Sequence, residues 1–338
     1  MDLWITFIGT AASVPTAARG TSATLVARGG ERLLIDCGEG TQRQFLRSGL
    51  GLVDVDAVLL THLHGDHYLG LPGLLKTYGL RDRTAPLRLA GPPGLQALLT
   101  ALRPVIGRTA FPLEVTEQAE GVVWTTPGAR VEAFPTRHSV PSVGYALVED
   151  PRPGQFDVAA ARARGVPDGP LFGRLQRGEE VTGSAGTVRP EDVLGPPRAG
   201  RRVVLTGDTE PCAATVLAAH GADVLVHEGT FGDADGQRAR DTRHSTVREA
   251  AEVALRAGVR LLAVTHLSNR LLPREAHAEA AEVFPDVLVP RDFDQVEVPF
   301  PERGGPMVHP GGARRSRADA APPGDAGAAA TVSDETGL

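Results

Sequence analysis

The run Thr61-His62-Leu63-His64-Gly65-Asp66-His67 places three imidazoles and a carboxylate within six positions. It follows Val55-Asp56-Ala57-Val58-Leu59-Leu60, a short, largely apolar stretch that reads as a buried strand. No packing requirement puts so many polar side chains at the end of a strand. Nitrogen and oxygen donors suit zinc, and four donors this close in sequence can be divided between two ions.

Working outward, 338 residues accommodate one large α/β domain that carries an insertion. Hydrophobic residues make up 41% of the chain and aromatics only 4%, so aliphatic packing must form the core. The net charge of −6 does not mark a nucleic-acid binder, but phosphate recognition depends on where positive charge sits rather than on its total. Lys76 is the only lysine; the other basic residues are arginines. Two cysteines, Cys37 and Cys212, can form neither a disulfide framework nor a four-sulfur zinc knot, which favours a reducing compartment. Met1–Gly9 is apolar without a basic leader and reads as a first strand, not a signal. No apolar run is long enough to span a bilayer. The expectation is a cytoplasmic protein that does not enter a membrane.

Residues 1–150 read as short strands with few helices. The strands are expected at Leu3–Ile8, Ala23–Ala27, Arg32–Asp36, Val55–Leu60, Leu87–Ala90, Val131–Phe134 and Val143–Val148. Helices are expected at Thr41–Arg47 and from Tyr68, where Leu71, Leu74, Leu75 and Tyr78 form a stripe. Residues 200–300 alternate strand and helix: Arg202–Leu205 with Pro211–Ala219, Asp223–Val226 with Thr246–Ala257, Arg260–Val264 with Arg274–Val283. Each half would supply one sheet of a two-sheet sandwich with helices outside.

Between the halves, residues 151–200 are rich in Pro and Gly, with one helix-like piece (Val158–Arg164) and no apolar face that would form a core. From Arg152 through Arg202 there are nine arginines against six acids. An insertion of this length in a compact domain is uncommon unless it is functional. Residues 301–338 lack periodicity and read as a disordered tail, in which His309 is incidental.

Three more segments end an apolar strand on a chemically capable residue: Val203–Thr209 with Asp208, Val224–Thr230 with His227 and Glu228, and Leu262–His266 with His266. His138 follows a further strand. Strand ends on one edge of an α/β sheet converge on a common crevice. Alone, each residue reads as a cap or a core hydrogen-bonder. His220 reads as a helix-end partner of the dipole and His277 as a surface residue.

In order along the chain, His-x-His-x-Asp-His, a distal His, a strand-end Asp and a final His resemble the metallo-β-lactamase superfamily. Leu34-Ile35-Asp36-Cys37-Gly38-Glu39-Gly40-Thr41-Gln42, Gly70-Leu71-Pro72-Gly73, Gly207-Asp208-Thr209, His227-Glu228-Gly229-Thr230-Phe231 and His244-Ser245-Thr246 narrow the resemblance to ribonuclease Z, the tRNA 3′ endonuclease, in its short form. Gly165–Leu171 and Asp192–Pro197 in the insertion resemble it too. One departure is Gly229, where the family has alanine.

The resemblance implies an αβ/βα sandwich of two mixed sheets over residues 1–300, interrupted by a flexible tRNA-binding arm at 151–200. It implies two Zn²⁺ per subunit, one held by His62, His64 and His138, the other by Asp66, His67 and His266, with Asp208 bridging them. Asp66 would orient the attacking hydroxide, and His244, steered by Glu228, would protonate the leaving oxygen. Gly169, Pro170, Arg174, Arg177, Ser245 and Thr246 would bind precursor tRNA, and a homodimer would present one subunit's arm to the other's site. Two rival readings are a small-molecule phosphodiesterase or arylsulfatase of the same fold, and a non-catalytic RNA-binding scaffold.

Overall fold

Val, Ile and Leu side chains bury both faces of the central strands, one face against the opposite sheet and the other under helices, which drives the strands to pair and the layers to pack together. The computed structural model describes residues 1–311. The chain opens with β1 (Leu3–Gly9), β2 (Ala23–Arg28), β3 (Glu31–Ile35), α1 (Thr41–Arg47), β4 (Ala57–Leu59), α2 (Gly65–Tyr68), α3 (Leu71–Leu80), β5 (Leu87–Gly91), α4 (Leu95–Ile106) and β6 (Leu113–Glu117). It continues through β7 (Gly121–Thr126), β8 (Ala129–Pro135) and β9 (Val143–Glu149) into the insertion, with α5 (Val158–Ala163), α6 (Pro170–Gln176), β10 (Val181–Gly183) and β11 (Gly186–Val188). Then come β12 (Arg202–Leu205), α7 (Ala213–Ala218), β13 (Val224–Glu228), α8 (Gly236–Thr242), α9 (Val247–Ala257), β14 (Leu262–Thr265), α10 (Pro273–Ala281), β15 (Val287–Leu288), β16 (Gln295–Glu297) and β17 (Met307–His309).

The first sheet has eight strands in the order β17-β16-β1-β2-β3-β4-β5-β6, and the second has seven in the order β15-β14-β13-β12-β9-β8-β7. Both are mixed: β3 to β6 run parallel, as do β12 to β15, and the other neighbours in each are antiparallel. Phe7, Val26, Ile35 and Leu59 of one sheet meet Val131, Tyr145, Val203 and Val226 of the other in a shared core. Outside, α1, α3 and α4 cover the first sheet and α9 and α10 the second. This is the metallo-β-lactamase αβ/βα sandwich.

The sheets are not divided at the insertion as expected. β7 to β9 join the second sheet, and β16 and β17 return to the edge of the first. Helix α4 was not expected, because Pro104 lies within it and only Leu95 and Ile106 are buried. The C-terminal boundary also moves. β17 pairs with β16, and His309 packs on Trp4 with ring centroids 5.1 Å apart, so ordered structure continues past 301. The rest of the expected tail, 312–338, lies outside the described residues.

The insertion has a core of its own, formed by Ala161, Val166, Leu175, Val181, Val188 and Val193. Each short element contributes one or two of these residues, so no periodicity revealed them in the sequence. At its root, Arg152 and Arg198 exchange backbone hydrogen bonds of 2.7 and 2.9 Å. Both guanidiniums reach Glu302, Arg152 through two bonds of 2.7 and 2.9 Å and Arg198 at 3.2 Å.

Arg201 is structural, not a contact for RNA. It is 2% exposed and forks onto Glu149 at 2.8 and 2.7 Å, while Arg28 of β2 reaches the same carboxylate at 2.9 Å. Arg201 also donates to the carbonyls of Val298 and Met1. The triad joins the two sheets below the arm. Burial pushes the Glu149 carboxyl up, but hydrogen bonds from Arg201 and Arg28 outweigh it and hold its pKa below the ordinary value. Glu149→Ala leaves the buried Arg201 guanidinium without a carboxylate and Arg28 with Glu31 alone, and chemical denaturation should show a loss of about 3–5 kcal/mol. In the native protein the Glu149 contribution is complete above its unfolded pKa of about 4.3 and is lost as pH falls through the lower folded value. The stability difference between wild type and Glu149→Ala should therefore shrink on acidification, and a pH-independent difference contradicts this account.

Candidate metal centre

Six loops at one edge of the sandwich deliver the polar residues. β3 ends at Asp36, β4 leads through Thr61 to His62 and His64, and the β8–β9 turn carries His138. β12 leads to Asp208, β13 ends at Glu228, and β14 leads to His266. Helix α2 starts directly after His64, whose extended backbone (φ −77°, ψ 150°) turns its ring back toward His62 while Asp66 and His67 occupy the first turn. Gly207 (φ +61°) is required where β12 crosses Thr61, since a Cβ there would lie 2.4 Å from the Thr61 Cβ. Gly229, too, is more than a tolerated swap for alanine. A methyl at that position would lie 2.4 Å from Val264 Cγ1 and 2.7 Å from Val247 Cγ1.

All seven expected ligands converge. His64 Nδ1 lies 3.1 Å from His62 Nε2 and 3.2 Å from His138 Nε2. His266 Nε2 lies 3.3 Å from His67 Nε2 and 3.2 Å from Asp66 Oδ2. Asp208 Oδ2 stands between the two groups, 3.6 Å from His62 Nε2 and 3.4 Å from His67 Nε2. His62, His67, His138, Asp208 and His266 are buried.

The outward hydrogen bonds fix which ring atoms face inward. His67 Nδ1 donates to Asp36 Oδ2 at 2.7 Å, and His138 Nδ1 donates to the Arg243 carbonyl at 2.9 Å. His266 Nδ1 lies 3.0 Å from Thr230 Oγ1. With their protons turned outward, the Nε2 lone pairs point into the cluster. Burial, reinforced by the neighbouring imidazoles, pushes the His62 pKa well down, and burial lowers that of His138, so both stay neutral near pH 7. Burial pushes the Asp66 carboxyl up, but the adjacent His266 and His67 rings outweigh it, and the group remains ionised. Asp208 Oδ1 is buried and has no hydrogen-bond partner. Converging lone pairs, two carboxylates and an orphaned oxygen together need positive charge between them. Three donors per group with Asp208 shared fit a pair of divalent cations, each with open positions. The groups His62/His64/His138 and Asp66/His67/His266 both have the donor spacing of a metal site.

Beside the cluster, His244 Nδ1 bonds Glu228 Oε1 at 2.8 Å. Glu228 is buried and also accepts from the Thr209 amide at 2.8 Å and from Thr230 Oγ1 at 2.6 Å. Burial pulls the His244 pKa down, but Glu228 outweighs it and lifts the pKa to about 9. No hydrogen bond among the described residues engages His244 Nε2.

Ser245 and Thr246 face inward instead of toward a ligand. Ser245 Oγ donates to the Thr209 carbonyl at 2.7 Å, and Thr246 caps α9 in a capping box with Glu249. Both are buried, with their hydroxyls engaged inside the protein. Gly169 and Pro170 start α6 in the arm, where Arg174 and Arg177 both pair with Glu179 at 2.8 and 3.2 Å. No contact among the described residues joins these four to the metal cluster.

Asp36 was missed as a working residue although it lies in a quoted motif. It takes His67 on Oδ2 and both the Thr61 amide (2.8 Å) and Thr61 Oγ1 (3.0 Å) on Oδ1, which ties two ligand loops together. Its signal was the same strand-end position that marked Asp208. Ser13 was also missed; its amide donates to Asp66 Oδ2 at 2.8 Å.

Several known proteins are similar to this chain in sequence or fold. The metallo-beta-lactamase superfamily model matches residues 16–154. Ribonuclease Z of Myxococcus xanthus is 52% identical over 270 residues, covering 79% of this chain and 88% of that protein. Ribonuclease Z of Haloferax volcanii is 49% identical over 311 residues, 90% of this chain and 98% of that protein. Among solved structures, human tRNase Z, short form, superposes with a TM-score of 0.64 at 26% identity, over 88% of this chain and 99% of that one.

Replacing Asp36 by Ala frees the His67 ring and removes the acceptor of the Thr61 amide. Metal affinity should fall about 10- to 100-fold, measured by mass spectrometry of bound metal across a chelator series. Unchanged affinity would remove Asp36 from the centre's support.

Proposed function

This chain belongs to the ribonuclease Z family and is a hydrolytic nuclease of the metallo-β-lactamase fold, and on that premise we propose that it removes the 3′ trailer from precursor tRNA using two zinc ions. Cleavage leaves a 3′-hydroxyl on the tRNA and a 5′-phosphate on the trailer. The single observation that carries this reading is the convergence of seven metal-competent donors, with one buried Asp208 oxygen unpartnered among the described residues, beside a carboxylate-held imidazole.

His62, His64 and His138 would hold one ion and Asp66, His67 and His266 the other, with Asp208 between them. When bound, such a pair supplies Lewis acidity to a phosphate oxygen and an acidified water as nucleophile. Asp66 keeps one oxygen on the Ser13 amide and, as an ionised carboxylate, orients the attacking water and accepts its proton. Glu228 keeps the proton on His244 Nδ1, so Nε2–H is available for the departing 3′ oxygen of the tRNA.

The arm is the element that reaches the folded body of the tRNA, with Gly169 and Pro170 at the start of α6 as contacts. Within 157–193 it carries five arginines against six acids, so its grip rests on shape and backbone more than on net charge. A homodimer would bring one subunit's arm to the other's cleft. No helix among the described residues is long and apolar enough to cross a membrane, and we place the enzyme in the cytoplasm with its substrate.

The test uses purified protein with one precursor ending in CCA before the trailer and one lacking CCA, with both product ends mapped. Cleavage after the acceptor stem, abolished by chelation and restored by Zn²⁺, is expected. Turnover of a small diester such as bis(p-nitrophenyl) phosphate with no precursor cleavage would favour the small-molecule reading instead. His244→Ala should lower kcat about 10²- to 10⁴-fold with bound metal unchanged. Loss of metal in that variant would place His244 among the ligands.

A further inference from the structure

Arg243 is held against the metal centre at two points. Its carbonyl accepts His138 Nδ1–H at 2.9 Å, and its Nη1 donates to the His138 carbonyl at 3.1 Å. It follows α8 directly, with a left-handed backbone (φ +57°), and immediately precedes His244. The side chain is exposed. A guanidinium has five N–H donors, and only an Nη1 donor of Arg243 is engaged here. No carboxylate among the described residues pairs with it.

The arm arginines differ in this respect. Arg152, Arg162, Arg164, Arg174, Arg177, Arg189 and Arg198 each have a carboxylate partner. Arg238, on α8, shares the unpaired state of Arg243. It lies over the Phe231 ring at 5.9 Å, and that ring abuts the His244 ring at 5.9 Å. On this segment Asp233 takes Arg248 at 2.7 Å and Asp241 takes the Gln237 side-chain amide at 2.8 Å, and among the described residues no ion pair joins Asp235 to Arg238 or Arg243. Two exposed guanidiniums without carboxylate partners thus flank His244, one of them fastened to a metal ligand.

We propose that Arg243, with Arg238 beside it, binds the RNA phosphates flanking the scissile bond and seats the diester against the metal pair. This rests on the precursor-RNA reading given above. The free edge of Arg243 offers paired, planar N–H donors, the arrangement that matches two phosphate oxygens, and the double tether to His138 removes much of the side-chain freedom that would oppose binding.

Arg243→Gly tests this, because glycine keeps both the left-handed turn and the carbonyl that orients His138 while removing the guanidinium. The expected result is full metal content with kcat/KM on precursor tRNA lower by about ten- to a hundredfold. The slope of log affinity against log salt should become shallower by about one. Arg243→Lys keeps a charge without the fork and should fall between the two. Arg238→Ala should raise KM with kcat changed less than about twofold, and shallow the salt slope in the same way. Precursor kinetics and salt slope in Arg243→Gly equal to wild type would overturn the proposal. So would loss of metal from that variant, since the residue would then act only through His138. Failure of the wild type to cut precursor tRNA overturns the functional reading instead, and it is seen before any variant is compared.

Discussion

Unprotonated imidazoles cannot face one another around a buried carboxylate unless positive charge lies between them. His138 is kept neutral by burial and gives its outward nitrogen to the Arg243 carbonyl, whereas at His67 burial opposes a charge but Asp208 and Asp36 outweigh it and raise the pKa, so the carboxylates call for positive charge beside that ring. Asp208 is buried between the two groups with one oxygen unpartnered. A pair of cations resolves all of this at once, and much of the surrounding structure serves to hold the donors in place until the ions arrive. Gly207 lets β12 approach Thr61, Asp36 joins the Thr61 loop to His67, and Ser13 holds Asp66. Metal binding and the final geometry of the cleft are therefore one equilibrium.

Charge is distributed unevenly around this centre. The buried triad of Arg28, Glu149 and Arg201 and the Arg152–Glu302–Arg198 fork use cations for architecture. In the arm proper, arginines and acids pair with each other, which makes it a small folded module with a defined root and not a flexible polybasic strand. Cations without carboxylate partners appear instead beside His244. In the proposed function this division would separate two tasks that a single basic surface would mix: recognition of a folded RNA by shape at a distance, and neutralisation of phosphate where the bond breaks.

The ligand set was legible because metal chemistry demands particular atoms: His62, His64, Asp66 and His67 lie within one turn and its lead-in, and Asp208 and His266 share a strand-end position. Strands β1 to β5, β8, β9 and β12 to β14 were legible, since apolar runs such as Leu3–Ile8 and Val143–Val148 call for burial, whereas β6, β7, β10, β11 and β15 to β17 were not expected. The sheet to which β7 to β9 belong was not legible, because pairing partners are set by tertiary packing and local sequence does not encode them. The arm core escaped notice because Ala161, Leu175 and Val193 lie on different short elements with no shared period. Ser245 and Thr246 were expected at the substrate because the His-Ser-Thr resemblance implied it, and a hydroxyl that caps a helix or bonds a carbonyl has the same sequence appearance. Asp36, Ser13 and Arg243 support the site largely through backbone atoms or through partners distant in sequence, and residue type alone carries little of that information.

The claim on which this account turns is that two cations occupy the cluster, one in each donor group, with Asp208 shared. Crystals of the protein as purified, measured on both sides of the zinc absorption edge, test it directly. The account predicts two anomalous peaks, one among His62, His64 and His138 and one among Asp66, His67 and His266, each about 2.0–2.2 Å from its nitrogen and oxygen donors and both touching Asp208. An ordered cluster with its histidines in these positions and no metal peak after zinc saturation would contradict it.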